Sequence, residues 1–134
     1  MSEEDIVVSL ELAKKLKEAG IEQDSLCYWI RWKDKDKWSI KCVDEYMREE
    51  WKFSPLVEYY SAYTATELIE KLPSLIREGL RYTLCIYKLH DSYIVEYERL
   101  SEDNEIELLC EFENKKFADA LAEMLIWWRK REEK

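Results

Sequence analysis

The stretch that decides the fold is Leu80-Arg81-Tyr82-Thr83-Leu84-Cys85-Ile86-Tyr87-Lys88-Leu89-His90-Asp91-Ser92-Tyr93-Ile94-Val95-Glu96-Tyr97-Glu98-Arg99-Leu100, continuing through Ser101-Glu102-Asp103-Asn104 to Glu105-Ile106-Glu107-Leu108-Leu109-Cys110-Glu111-Phe112. Tyr82, Leu84 and Ile86 alternate with other residues, as do Tyr93, Val95 and Tyr97, and then Ile106, Leu108, Cys110 and Phe112. A period of two over such lengths predicts half-buried strands, and short turns at Asp91-Ser92 and Ser101–Asn104 join them into an antiparallel meander. Those turns place Ile86 opposite Tyr97 and Tyr97 opposite Leu108, so the apolar sets share one face. The other face then gathers Glu96, Glu98, Glu105, Glu107 and Glu111, with Glu98 directly opposite Glu107. From residue 96 to residue 113 there are eight acids against Arg99 alone. Like charges facing across strands cost about 0.2–1 kcal/mol, so this wall is expected to weaken the fold slightly.

Helices flank the meander. After it, Phe117, Leu121, Met124, Leu125 and Trp128 form one stripe of a helix over about Lys115–Arg131 that should cover the sheet. Its basic run Arg129-Lys130-Arg131 suits the negative end of the helix dipole. Before the meander, Thr64-Ala65-Thr66-Glu67 matches a capping box, and Leu68, Ile69 and Leu72 continue the helix until Pro73 ends or kinks it. Leu75 and Ile76 then read as one further turn before Gly79. At the start of the chain, Ser9 caps a helix to about Ala19, with Leu12, Ala13 and Leu16 inward and Gly20 in the left-handed closing position.

Between the first two helices the period returns to two. Leu26, Tyr28, Ile30 and Trp32 face one way, and a turn within Lys33–Lys37 pairs them with Trp38, Ile40 and Cys42 in a hairpin. Residues 44–63 show no sustained period yet are rich in aromatics, which predicts an ordered, mostly irregular connection with room for a short strand near Val57–Tyr60. The expectation is one α+β domain over residues 1–134, with an antiparallel sheet of about five strands and three helices packed on one face.

Composition bounds the class. The 134 residues carry a net charge of −9, with 47% hydrophobic residues, 6 Trp and 9 Tyr; that is material for a core rather than for disorder. Apolar runs fall far short of the roughly 20 residues of a membrane span, and the acidic start does not resemble a signal peptide, which predicts a cytoplasmic protein with no membrane partner. Two Gly, two Pro and few side-chain amides beside abundant Glu and Lys fit a heat-adapted host. Cys27, Cys42, Cys85 and Cys110 lack paired spacing and are expected to be buried free thiols, the alternative being a disulfide in an exported chain.

No constellation predicts catalysis, a cofactor or a metal. His90 is the lone histidine, and adjacent His90, Asp91 and Ser92 at a tight turn cannot converge as a nucleophilic relay. Flat rows of strand carboxylates do not wrap a cation. Two glycines cannot build a phosphate-cradling loop. Trp29, Arg31, Lys33, Lys35 and Lys37 supply an aromatic and cations around one hairpin, but Asp34, Asp36 and the overall negative charge oppose nucleic acid.

Three segments, residues 9–20, 64–73 and 117–127, resemble small proteins encoded by bacteriophages and prophages, a family without an established activity. The resemblance implies an accessory, non-enzymatic protein that binds a host or phage protein. The acidic residues Glu96, Glu98, Glu105, Glu107 and Glu111 would engage a basic surface. Trp29, Trp51 and Trp127 lie off the apolar stripes and read either as half-buried beneath the long connection or as an exposed patch for a partner or homodimer. The alternative is a small-ligand protein for a nucleotide signal, with Arg48, Trp51, Tyr59, Tyr60 and Tyr63 forming an aromatic pocket.

Overall fold

A computed structural model describes residues 3–42 and 57–132. The described elements run α1 (Glu3–Ile6, a single turn), α2 (Leu10–Glu18), β1 (Cys27–Trp32), β2 (Ser39–Cys42), β3 (Val57–Ser61), α3 (Ala65–Lys71), β4 (Leu75–Glu78), β5 (Leu80–Lys88), β6 (Tyr93–Leu100), β7 (Ile106–Asn114) and α4 (Phe117–Glu132). The chain is α+β, as its patterning predicts. Its strands form two antiparallel sheets rather than one, ordered β2-β1-β3 and β4-β5-β6-β7.

The helix signals translate directly. Ser9 caps α2 through its side chain, which accepts from the Leu12 amide, and Ala13 and Leu16 are buried. Gly20 sits at φ 86°, where a side chain would be strained. The capping box at Thr64 and Glu67 is complete. One Glu67 oxygen accepts from the Thr64 amide at 3.0 Å and the other from the Leu26 amide at 3.2 Å, so the cap also ties α3 to the entry of β1. Helix α4 buries Ala118, Ala120, Leu121, Ala122, Met124 and Leu125. Val95 and Tyr97 of β6 and Leu16 and Leu68 of the other helices complete this core. Tyr97 donates to the Pro73 carbonyl at 2.6 Å.

Four local expectations are corrected. First, the β1–β2 hairpin pairs Cys27 with Cys42, Trp29 with Ile40 and Ile30 with Ser39, one residue away from the register in which Trp32 faces Trp38. The cause is β3, which pairs along the other edge of β1 and makes it a central strand with Cys27 through Ile30 all buried. A strand buried on both faces loses the alternation that would fix its register. Trp29 then enters the helix-side core, donating its indole N–H to the Val8 carbonyl at 2.9 Å, while Leu26 and Trp32 are exposed. Second, that register sets Cys27 against Cys42, and the two form a disulfide, leaving Cys85 and Cys110 as the free thiols. Third, Leu75–Glu78 is a strand. Pro73 ends the helical phase, and β4 folds back on β5 through Gly79 at φ 76°.

The fourth correction bears on function. Strand β6 meets β7 in one register from Tyr93 to Tyr97 (Glu96 opposite Glu111, Tyr97 opposite Cys110) and in another from Glu98 to Leu100 (Glu98 opposite Leu108, Arg99 opposite Glu107). Leu109 is the extra residue, a β-bulge. A one-residue insertion exchanges the faces beyond it, so Glu98 and Glu107 lie on opposite sides. The β5–β6 turn also shifts, placing Ile86 opposite Val95, a two-residue change that preserves the faces.

Candidate functional site

The face of the four-stranded sheet turned away from α4 can be assembled from its registers. Across β4, β5, β6 and β7, one row holds Leu75, Thr83, Glu98 and Leu108. The next holds Cys85, Glu96 and Glu111, and the one after it Tyr87, Ile94 and Glu113. At the opposite end lie Arg77 and Arg81, and beside them Leu100 and Ile106. Leu100 is 62% exposed, Ile106 63% and Leu108 48%. This face is therefore a carboxylate cluster bordered by bare aliphatic side chains, with two arginines at one corner, and not a uniform anionic wall.

The central carboxylates are unequal. Glu96 is only 6% exposed. Burial first, and then its carboxylate neighbours Glu98 and Glu111, make ionisation costly and push its pKa up to about 8. Glu98 moves the other way, held below the ordinary carboxylate range by the hydrogen bond from Glu96 and by Tyr87, whose hydroxyl donates to Glu98 Oε1 at 2.8 Å. Glu98 Oε2 is shielded from water and receives no donor from a fixed N–H; a proton on Glu96 supplies one. These opposite shifts favour the proton on Glu96 and the charge on Glu98. The same carboxylate raises the Tyr87 hydroxyl pKa. Burial and Glu98 likewise raise the Cys85 thiol, and burial raises Cys110, so neither thiol is activated as a nucleophile.

The remaining candidates disperse. Glu107 is on the helix side, paired with Arg99. Glu105 closes the β6–β7 turn, its carbonyl accepting from Ser101 N–H at 2.8 Å and its amide donating to Ser101 Oγ at 3.1 Å. Trp29 is buried. Trp127 is half-buried, stacked on Tyr97 with centroids 6.3 Å apart and with the Arg131 guanidinium 4.8 Å above its ring. Tyr63 is fully buried, its hydroxyl engaged with the Glu22 carbonyl and the Asp24 amide. Tyr59 and Tyr60, adjacent in β3, point to opposite faces; Tyr59 meets Tyr28 edge-on at 6.0 Å, and Tyr60 packs on Trp38 at 5.7 Å. Arg48 and Trp51 lie outside the described residues. The Lys17 ammonium lies 5.5 Å from the Tyr59 ring centroid and 5.2 Å from that of Tyr60. Among the described residues no group of three metal-ligating side chains converges, and no helix is long and apolar enough to cross a membrane.

The alternation pattern misses Leu100, Ile106 and Leu108 as members of the outer face. The adjacent pair Leu108-Leu109 is the signal: two apolar neighbours break the period of two where the bulge exchanges the faces. Asp119 is missed too. It is buried near the start of α4 and accepts from the Ser9 amide at 2.7 Å, joining the entries of α2 and α4. No known protein family, curated protein or solved structure matches the chain.

Proposed function

We propose that the protein is a non-enzymatic interaction protein that binds a protein partner through the open face of its four-stranded sheet. The partner presents cationic side chains opposite Glu98 and Glu111, within an apolar surface that covers Leu100, Ile106 and Leu108. The observation that carries this reading is the exposure of those three aliphatic side chains beside a carboxylate cluster, on a face whose opposite side already holds the core. Contiguous exposed apolar surface rimmed by charge marks interaction sites. The acids set partner choice and encounter rate, and the aliphatic residues supply the burial. The proposed partner is a host or phage protein with a basic surface.

Self-association fits less well. Two copies packed face to face would bring two clusters around Glu96, Glu98 and Glu111 into one desolvated layer, where like charges repel.

The test is affinity capture from a bacterial lysate with the wild-type chain, with Glu98→Lys/Leu108→Lys, and with Lys130→Glu on the helical side as a control. A specific protein retained by wild type and control, lost by the face variant and released as salt rises supports the reading. Equal retention by the face variant, or nothing retained, overturns it.

A further inference from the structure

Strand β7 pairs only with β6 among the described residues, leaving its other edge open. Along that edge runs a cleft of about 920 Å³ between α2 and α4, bordered by Leu12, Lys15, Phe112, Asn114, Ile126 and Trp127. From Cys110 to Asn114 the edge is two-sided. Glu111 and Glu113 belong to the face away from α4, while Phe112, opposite Val95, belongs to the helix side and lines the cleft. An extended segment laid beside β7 would find hydrogen-bonding partners along the edge. On one side its alternate residues would enter a cleft where Leu12, Phe112, Ile126 and Trp127 supply apolar surface beside the acids Glu11 and Glu123, and on the other they would meet carboxylates.

We propose that the edge of β7 from Cys110 to Asn114 captures an extended basic peptide by strand addition, with alternate apolar residues in the α2–α4 cleft and alternate lysines or arginines beside Glu111 and Glu113. The charge pattern selects this occupant over a second copy. Antiparallel pairing of β7 with itself about Phe112 would set Glu111 against Glu113 of the other copy twice, both on the face away from α4, and like charges directly opposite destabilise a sheet. A cationic strand reverses the sign of those contacts. Charge on an open edge is also how folds discourage indiscriminate pairing, which leaves the edge available to a partner of opposite charge. The inference goes beyond the open-face reading and uses the edge and the cleft rather than the aliphatic patch.

The probe is a fluorescein-labelled nine-residue peptide of alternating lysine and valine, with a glutamate–valine counterpart and two lysine–valine versions N-methylated at one or the other alternate set of amides. Anisotropy should show saturable binding of the lysine–valine peptide and at least about tenfold weaker binding of the glutamate peptide. Alternate amides of a strand point to opposite edges. One methylated set should therefore weaken binding at least about tenfold, as expected for two or three lost hydrogen bonds of about 1 kcal/mol each, and the other should change it less than about twofold. Glu111→Lys/Glu113→Lys should invert the preference between the lysine and glutamate peptides. Leu100→Ser, on the aliphatic patch at the far end of the open face, should leave peptide binding within about twofold, so a failure of the open-face reading is told apart from a failure of this one. Equal effects of the two methylations, no binding of the unmethylated lysine–valine peptide, or dimers in sedimentation that the peptide does not dissociate would overturn the proposal.

Discussion

Glu96→Gln should stabilise the protein above neutral pH and remove most of a pH dependence that the wild type shows on the acid side of that point. Glu96 is almost fully enclosed, opposite Glu111 on one side and Cys85 on the other, and hydrogen-bonded to Glu98. In the unfolded chain it ionises in the ordinary carboxylate range; in the folded chain it holds its proton up to about pH 8. Its contribution is therefore fully present below the ordinary range and is lost progressively as pH rises to the folded value. The slope from one such proton is at most about 1.4 kcal/mol per pH unit. An independent bound comes from Coulomb's law: two carboxylates about 5 Å apart at an effective dielectric of about 20 repel by about 3 kcal/mol. Glutamine keeps the shape of the neutral acid and can donate to Glu98 without ever ionising. Urea unfolding at pH 5 and pH 8.5 should give nearly equal stability for variant and wild type at the lower pH. At the higher pH the variant should lead by about 2–3 kcal/mol. Glu98 titrates in the opposite sense, its contribution being present above the ordinary range and lost as pH falls below it, so Glu98→Gln should cost stability at pH 7. A variant Glu96→Gln that tracks the wild type across the whole interval would refute the assignment of the proton.

Cleaving Cys27–Cys42, whose partners are 15 residues apart, should lower stability by about 3 kcal/mol in the chain-entropy account, read as the difference in urea midpoint with and without reductant. Thr64→Ala should cost about 1 kcal/mol through loss of the capping box, with an unchanged denaturant slope. Tyr97→Phe removes the donor to the Pro73 carbonyl and should cost about 1–3 kcal/mol, because the acceptor is left without its partner. Trp29→Leu should cost at least about 3 kcal/mol in thermal or chemical unfolding, combining cavity formation with the lost indole hydrogen bond to Val8; an effect below about 1 kcal/mol would contradict the helix-side placement of Trp29.

The sequence signals that survive folding are those written in local chemistry. Ser9, Thr64 and Glu67 cap the helices they announce, because a cap is satisfied within three residues of itself. The helix stripes survive because each helix is buried on one side. Register is less legible where burial is symmetric. Tyr28 and Trp29 are neighbours, and both are buried, so alternation cannot say which faces the helices; β3, recruited across a long connection, decides it. The disulfide follows from that register, and spacing alone could not reveal it. In the candidate site, the acids on β6 were legible because Glu96 and Glu98 keep one phase along a regular strand. Glu107 was not, since a single inserted residue at Leu109 moves it to Arg99 on the other face. The same insertion brings Leu108 and Ile106 to the outer face, changing a wall of like charge into a surface that can bury area against a partner.

The proposed contact surface is the sheet face opposite α4. Hydroxyl-radical footprinting of the chain, free and after incubation with the lysate fraction that it retains, tests this directly through side chains that oxidise readily when exposed. Bound protein should show protection at Leu100, Ile106, Leu108 and Tyr87, with Trp127 and Ile126 unchanged in the same sample. Protection confined to the α2–α4 side, or identical labelling of free and incubated protein, would contradict it.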